Sequence, residues 1–505
     1  MKKIVYLPLD ERPCNYAFAG FLSEENPSFT LIRPDIGILG KKKIPADCEK
    51  INAFLAEECK DADYLIVSTD MLLYGGIVPS RLHHLSEETL TKRLDVLKKT
   101  KEDNPSLKIY AFSLIMRCPS YSSADEEPDY YEECGREIFL YGQNEHKYSA
   151  GIIKKAEYEE KKKTLGAACG KYLDDYLARR KTNLALVKKC LALYEEKIID
   201  KFVIPQDDSS PYGYTAIDQA EIKAIIKDKG LRVDIYPGAD ETGLTLLAAA
   251  VCDFEGISPK ICPVYPNELC KKVIPLYEDR AVEESIRKQI ENAGATFCES
   301  EASADILLFC NLPAGEMKNA NDQCGEAYDL RNLPAFLEKI EAAKVRGKGF
   351  AVADLAYVNG GDREFCKMLS ERVGLLNLWG YAGWNTSSNS LGTVICQSIF
   401  RKFFGDTKTH RKFTAERIYE DVGYCSYARK YLCDEYLPKI GCDYFHADGY
   451  TGKVSEKAKS VLEDFIGKNF PEISEKYQIG RCYMPWKRMF EVGLTVENRA
   501  KEQKQ

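Results

Sequence analysis

FVIPQDDSSPYG (residues 202–213) joins a short apolar run to a polar cluster that ends in glycine. The apolar part does not alternate strictly with polar residues, which is typical of strands covered on both faces, as in parallel sheets. The pattern recurs through residues 1–400, with a charged, helix-like stretch following the polar clusters. The apolar runs are Ile4–Leu9, Tyr64–Ser68, Ile109–Leu114, Phe202–Pro205, Val233–Tyr236, Ile261–Tyr265, Ile306–Cys310, Phe350–Ala353 and Leu376–Tyr381. Strands that alternate with helices predict an α/β fold with right-handed crossover connections.

Two architectures fit this alternation. One is a parallel (β/α)8 barrel with an additional strand, and the other is a pair of doubly wound domains joined near Cys252–Pro259. We favour the barrel, because polar clusters follow nearly every run and a barrel gathers such loops at one mouth. In both architectures the carboxyl ends of the strands form the site, so the functional inference is the same.

The character of the chain changes after residue 400. Arg411–Tyr419 and Ser455–Ile466 have helical patterns, and Cys482–Val496 is an aromatic, extended segment. We therefore expect a barrel-like catalytic domain over residues 1–400, with a subdivision left open near 252–259. A mainly helical accessory region is expected over residues 401–505, and a helical insertion at Asp125–Tyr176.

Composition and charge limit the function classes. The 505 residues are 45% hydrophobic and 30% charged, which is typical of a folded globular protein. The net charge of −7 argues against nucleic acid and anionic membranes as partners. The 19 cysteines form no C-x-x-C pair, and no signal-like or long apolar segment is evident, so we expect a cytoplasmic protein with reduced thiols.

Two pairs of acidic residues follow consecutive apolar runs. Asp207 and Asp208 end the run at 202–205, and Asp240 and Glu241 follow the run at 233–236. Adjacent carboxylates repel each other, which raises the pKa of one and leaves the other ionised, a division that suits general acid and base catalysis. All four are candidate catalytic residues. For Asp207 and Asp208 the alternative is that one caps the following turn while the other is solvated, and Asp240 and Glu241 would otherwise bind sugar hydroxyls.

Further polar residues follow other runs and are candidate substrate-binding residues. A ring of aspartates and arginines at strand ends favours a polar, hydroxylated or anionic small ligand. A tryptophan beside an amide is typical of a sugar-binding surface, although packing and helix capping would also explain it. These candidates are Asp10, Arg12, Asp70, Arg81, Arg117, Trp384 and Asn385.

Other chemistries have weak support. H-E-x-x-H, G-x-S-x-G, Walker A and G-x-G-x-x-G motifs are absent, which argues against a zinc protease, a serine hydrolase and nucleotide cofactors. We expect no cofactor and no metal, although the carboxylates are also suitable ligands for Mg²⁺, Mn²⁺ or Ca²⁺. The expected partner is a small-molecule or glycan substrate, and the oligomeric state stays open.

Five short motifs carry a family resemblance over nearly the whole chain. They resemble a bacterial family catalogued as domain of unknown function 4127, a resemblance that implies no activity. The motifs are Leu7–Pro13, Tyr74–Arg81, Gln206–Asp208, Gly238–Glu241 and Ala382–Thr386.

A second, local resemblance concerns the chemistry. Asp207-Asp208 is similar to the paired aspartates of O-GlcNAcase-type glycosidases, and Gly238–Glu241 is similar to the Gly-Gly-Asp-Glu of β-hexosaminidases, with Ala239 in place of the second glycine. The resemblance implies that the first acid orients the substrate's own 2-acetamido group as nucleophile and the second protonates the leaving oxygen. Only one of the two pairs can hold that role.

These observations lead to three hypotheses. The leading one is a glycoside hydrolase, acting on a β-linked N-acetylhexosaminide, with Asp207 and Asp208 as the catalytic pair. The first alternative is a metal-dependent hydrolase or lyase, in which Asp10, Asp70, Asp207 and Asp240 would be the ligands. The second alternative is a non-catalytic carbohydrate-binding protein on an enzyme-like fold.

Overall fold

A computed structural model describes residues 1–24, 26–323 and 330–499. These residues form two compact units, each with a parallel sheet and helices. The first unit comprises Met1–Glu11, Pro27–Gly243 and Tyr277–Asp279, and the second comprises Arg12–Asn26, Leu244–Leu276 and the chain from Arg280 onward. The α/β class with parallel sheets is therefore confirmed.

The first unit contains a six-stranded sheet in the order β2-β1-β3-β4-β5-β6. All neighbouring strands are parallel, and the inner strands are buried on both faces, as their continuous apolar runs predict. The strands are β1 (Lys2–Leu7), β2 (Phe29–Ile32), β3 (Tyr64–Ser68), β4 (Lys108–Phe112), β5 (Lys201–Gln206) and β6 (Asp234–Pro237).

Helices connect these strands. A short helix, α1 (Phe18–Ser23), belongs to the second unit. The helices of the first unit are α2 (Cys48–Glu58), α3 (Thr69–Tyr74), α4 (Ile77–Ser80), α5 (Glu87–Leu94), α6 (Val96–Asp103), α7 (Tyr131–Ser149), α8 (Lys155–Glu195) and α9 (Tyr214–Asp228). Helices α7 and α8 account for most of the predicted helical insertion, and their apolar faces share a cluster with residues after β4.

The second unit contains a five-stranded parallel sheet in the order β13-β11-β9-β7-β8. Two short strands pair beside it, and an antiparallel hairpin lies near the end of the chain. The strands are β7 (Lys260–Val264), β8 (Thr296–Phe297), β9 (Ile306–Asn311), β10 (Lys318–Asn319), β11 (Gly349–Asp354), β12 (Tyr357–Val358), β13 (Tyr381–Ala382), β14 (Tyr477–Tyr483) and β15 (Gly493–Asn498).

The helices of the second unit include the part of the chain after residue 400. A wide helical stretch with π-type hydrogen bonds, Ile418–Ala428, continues α15 and packs in one apolar cluster with α17 and the hairpin. The helices are α10 (Thr242–Glu255), α11 (Val282–Asn292), α12 (Leu333–Val345), α13 (Arg363–Arg372), α14 (Ser387–Phe404), α15 (Lys408–Arg417), α16 (Arg429–Tyr431), α17 (Lys453–Asn469) and α18 (Pro471–Ser474). The last residues of the predicted accessory region, 500–505, lie outside the described residues.

The two sheets share one winding order. When the strands are numbered within each sheet, both have the order 2-1-3-4-5, and the first sheet adds a sixth strand. This is a doubly wound order, in which the edge strands do not pair with each other. The barrel favoured from the sequence is therefore not confirmed: the described strands form two open sheets, as in the alternative architecture.

In the described ranges, no helix combines the length and apolar character needed to cross a bilayer. The eighteen cysteines in these ranges are all free thiols, and most of them are buried.

Candidate functional site

Charged side chains gather at the carboxyl edge of the first sheet. Asp70 lies in α3 directly after β3, Arg81 follows α4, Arg117 follows β4, and Asp207 and Asp208 follow β5. Because parallel strands end at the same edge of a sheet, these residues meet although they are far apart in the sequence.

Two arginines organise the cluster. Arg81 contacts Asp207 with a nitrogen to oxygen distance of 2.6 Å and Glu126 at 3.0 Å. Both arginine side chains are buried, with 2% and 8% of their surface exposed. Buried guanidinium groups need several oxygen partners to offset the loss of water, so the acids that surround them are held in fixed positions.

Arg117, the second arginine, contacts three acids of the cluster. Arg117 contacts Glu127 at 2.7 Å, Glu126 at 3.0 Å and Asp208 at 3.1 Å. Glu126 therefore bridges the two arginines, and the four acids and two arginines form one network, which we call the Arg81–Arg117 network.

Glu126 and Glu127 were not among the residues predicted from the sequence. They lie before α7, in a loop that the sequence pattern assigned to a helical insertion. The acidic run Asp125–Glu127, close behind Arg117, was the available signal. Glu127 is fully buried, and its Oε2 atom has no hydrogen-bond partner among the described residues.

Asp208 is the acid of this network best placed to exchange a proton. Burial, followed by the charge of Asp207, raises the pKa of Asp208 to about 7, although Arg117 and Arg81 oppose the shift. Its side chain nevertheless keeps 22% of its surface exposed. Its φ of 44° lies in the left-handed region, which is uncommon for residues other than glycine and clusters at functional sites.

Asp70 is a second acid with a shifted pKa. Its Oδ2 atom accepts a hydrogen bond from the backbone N–H of Leu114 at 2.9 Å, and the side chain is buried. Burial raises the pKa of Asp70 to about 7, against this hydrogen bond and the charge of Arg81. Asp70 is therefore enclosed by the protein, and its hydrogen bond connects α3 to the segment after β4.

Two exposed tyrosines lie near Asp208. Tyr121 and Tyr277 have 45% and 47% of their surface exposed, and both interact electrostatically with Asp208. The carbonyl of Tyr277 accepts a hydrogen bond from the N–H of Ser209 at 3.0 Å, which holds this residue beside the end of β5. Exposed aromatic rings beside carboxyl groups are suited to a ligand with both apolar and polar faces.

The other predicted acids of this unit are more deeply buried. Glu241 is fully buried, and its Oε2 atom accepts a hydrogen bond from the N–H of Ala239 at 2.9 Å. Gly238 has a φ of 148°, and a Cβ there would come within 2.0 Å of the Glu241 carboxyl group. Glu241 thus orders its own loop, while Asp240 and Asp10 are 5% and 3% exposed.

Three predicted binding residues belong to the second unit. The Arg12 guanidinium lies 4.5 Å from the centre of the Trp486 ring. Trp384 is 4% exposed, donates a hydrogen bond from Nε1 to Thr393 at 3.2 Å and contacts the edge of the Phe18 ring. Such burial leaves no open ring face for stacking against a sugar, which agrees with the packing alternative.

Asn385 has a structural contact of its own. Its carbonyl accepts a hydrogen bond from the N–H of Asn359 at 3.1 Å, while the residue keeps partial exposure. The expectation that it lines a sugar pocket stays a prediction.

Over residues 1–24, 26–323 and 330–499, no group of three or more histidine, cysteine, aspartate or glutamate side chains has an arrangement suited to a metal ion. The four aspartates of the metal hypothesis therefore do not form such a group.

Comparisons with known proteins place the chain in a family without assigning an activity. No curated protein and no solved structure matches it. A family model described as a protein of unknown function, DUF4127, matches residues 4–495, which is nearly the whole chain. The family resemblance is thereby confirmed, and the chain belongs to the DUF4127 family.

Proposed function

We propose that the protein is a glycoside hydrolase, with Asp208 as the general acid and Asp207 as its partner. The observation that carries the proposal is the state of Asp208: a partly exposed carboxyl group with a pKa of about 7. Such a group is protonated in a substantial fraction of molecules at neutral pH and still reaches solvent, as a proton donor to a glycosidic oxygen must.

The surroundings of Asp207 support a different role for this residue. Its Oδ2 atom is ion-paired with Arg81, which fixes the carboxylate beside Asp208. A fixed carboxylate next to a proton donor is what substrate-assisted cleavage requires, because the carboxylate orients the 2-acetamido group that attacks the anomeric carbon. We therefore propose a β-linked N-acetylhexosaminide as the substrate class.

The exposed tyrosines support a sugar as the ligand. Tyr121 and Tyr277 offer aromatic faces near Asp208, and a pyranose ring presents C–H groups that pack on such faces. The free thiols of the described residues agree with the cytoplasmic location expected from the sequence, which stays a prediction.

The proposal is tested with a panel of chromogenic glycosides that includes 4-nitrophenyl β-N-acetylglucosaminide. We expect turnover of this panel by the wild-type protein. With N,N′-diacetylchitobiose, whose sugar leaving group must be protonated, we expect a loss of about 10³-fold in kcat for Asp208→Asn, because the amide cannot donate that proton. Asp129→Asn is the matched control, since the Asp129 side chain is 99% exposed. This control variant should keep wild-type activity.

The two alternative hypotheses predict different results when the same glycosides are tested with EDTA and when sugar binding is measured separately. Activity that is lost with EDTA and restored by Mg²⁺ or Mn²⁺ would favour the metal-dependent alternative. Saturable sugar binding without turnover would favour the carbohydrate-binding alternative. Unchanged kcat of Asp208→Asn on N,N′-diacetylchitobiose would overturn the assignment of the general acid.

A further inference from the structure

The second unit contains a cleft that the proposed function does not use. Its volume of about 880 Å³ lies within the range of small-molecule sites. The first turns of α12 and α13 and the end of α17 line the cleft.

Hydrogen bonds connect the cleft to the second sheet. Arg331 donates hydrogen bonds from Nη1 to Asp362 at 2.5 Å and to Asn311 at 2.9 Å. Asn311 ends β9, and it also donates to Asp354 at the end of β11. The cleft is therefore anchored to the carboxyl edge of the second sheet, where ligands bind in doubly wound folds.

Arg363 and Lys367 on α13 line the cleft and have nitrogen atoms available to bind a ligand. Arg363 donates to Gln323 through its Nε atom, and neither its terminal nitrogens nor the Lys367 ammonium has a partner among the described residues. Residues four apart lie on the same face of a helix, so both groups can reach one anion.

Two acids are among the described lining residues. Asp362 is occupied by Arg331 and by the N–H groups of Glu364 and Phe365 at the start of α13. Glu364 is exposed and offsets one of the two positive charges of Arg363 and Lys367, so one positive charge is left over among the described lining residues.

Apolar side chains also line the cleft. Leu330 is 69% exposed and Leu333 is half-buried, whereas the rings of Phe465 and Phe470 are buried. A ligand in the cleft would meet both cations and exposed apolar side chains.

We propose that this cleft binds a small organic anion. A phosphate or carboxylate group would bind Arg363 and Lys367, and an apolar body would pack against Leu330 and Leu333. Charge-assisted hydrogen bonds and apolar packing are the two contributions that such residues make to small-molecule sites. The inference concerns a different unit from the proposed catalytic pair and does not depend on glycosidase activity.

Phenyl phosphate is a suitable probe, and its binding to the full chain is measured by isothermal titration calorimetry at low salt. We expect saturable binding that weakens with added NaCl. Lys367→Gln should weaken it several-fold, and the double variant Arg363→Gln/Lys367→Gln by about tenfold or more. Lys430→Gln is the matched control, because Lys430 is an exposed lysine of the same unit outside the cleft.

Three results would overturn the inference. They are no saturable binding of phenyl phosphate to the wild-type protein, equal binding by Lys367→Gln, and binding of neutral benzyl alcohol as tight as that of phenyl phosphate. Lys367 is exposed, so its substitution leaves folding intact and decides the question even if the double variant is unstable.

Discussion

The proton affinity of Asp208 results from a balance among its charged neighbours. Asp207 and Glu126 raise its pKa, while Arg117 and Arg81 lower it, and burial adds the largest contribution. Changing one neighbour should therefore move the pKa in a direction that is known in advance.

Glu126→Gln tests this balance. The substitution removes a negative charge that raises the pKa of Asp208, and it leaves Arg117 with fewer acidic partners. We expect the pKa of Asp208 to fall by about 0.5–1 pH unit, as measured by NMR titration of the ¹³C-labelled carboxyl group. Glu133→Gln is the control, because Glu133 pairs with Lys171 at the surface. A rise in the pKa of Asp208 would contradict the described network.

At the scale of residues, the sequence predicts acids better than it predicts their partners. Asp207 and Asp208 could be found because they follow an apolar run directly. Glu126 and Glu127 could not, since their approach to the arginines depends on how a long loop folds. The burial of Trp384 likewise depends on Phe18, from a distant part of the chain.

At the scale of elements, α8 is the most regular feature of the first unit. Its 41 residues span about 62 Å. Most of its buried side chains follow a spacing of three and four residues, which places them on one face. These residues are Cys169, Leu173, Tyr176, Arg180, Asn183, Val187 and Cys190. The helical insertion predicted from the sequence ends at Tyr176, whereas α8 continues without a break to Glu195.

Glycines in α7 and α8 differ in their surroundings, which gives a matched pair of variants. A Cβ at Gly170 in α8 would meet no atom within 4 Å, whereas one at Gly142 in α7 would lie 2.5 Å from the Tyr214 ring. We expect Gly170→Ala to raise the free energy of unfolding by about 0.5–1 kcal/mol, because alanine favours the helix.

Gly142→Ala should lower the free energy of unfolding by about 1–3 kcal/mol, since the added methyl group needs space that Tyr214 occupies. Urea denaturation monitored by circular dichroism measures both changes. Equal effects of the two substitutions would contradict the packing of α7.

Several strands were harder to predict than the long helices. The edge strand β2 was missed, because its four residues lack a continuous apolar run. In the run Leu376–Tyr381, the strand begins only at Tyr381, and Leu375–Asn377 forms a 3₁₀ turn. Short apolar runs do not distinguish a strand from a buried turn.

At the scale of the whole molecule, buried carboxyl groups make stability depend on pH. Burial raises the pKa of five acids into the range of about 6 to 8. They are Asp70, Asp208, Asp354, Glu416 and Asp421. The unfolded chain releases these protons near pH 4, while the folded chain keeps them, so the free energy of unfolding falls as pH rises from 5 to about 8.

Glu416→Gln tests this relation in the second unit. Burial raises the pKa of Glu416 to about 8, and an uncharged glutamine has no proton to lose. We expect this variant to be more stable than the wild type at pH 9 and to differ less at pH 5, as measured by thermal unfolding. A wild-type protein whose stability rises steadily from pH 5 to pH 9 would contradict the assignment of these raised pKa values.

The α/β class could be predicted from the alternation of apolar runs and charged stretches. Whether the strands close into a barrel or form open sheets could not be predicted. Each run specifies a buried strand, yet the choice between a barrel and two open sheets depends on which strands become neighbours. The pairing of β1 with both β2 and β3 sets the doubly wound order, and that choice is made by long-range packing.

The segment Arg12–Asn26 has a consequence for synthesis of the protein. Its Phe18 packs against Trp384 and Phe413, which follow several hundred residues later in the sequence. During translation, this aromatic side chain therefore stays uncovered until the intervening residues have been synthesised.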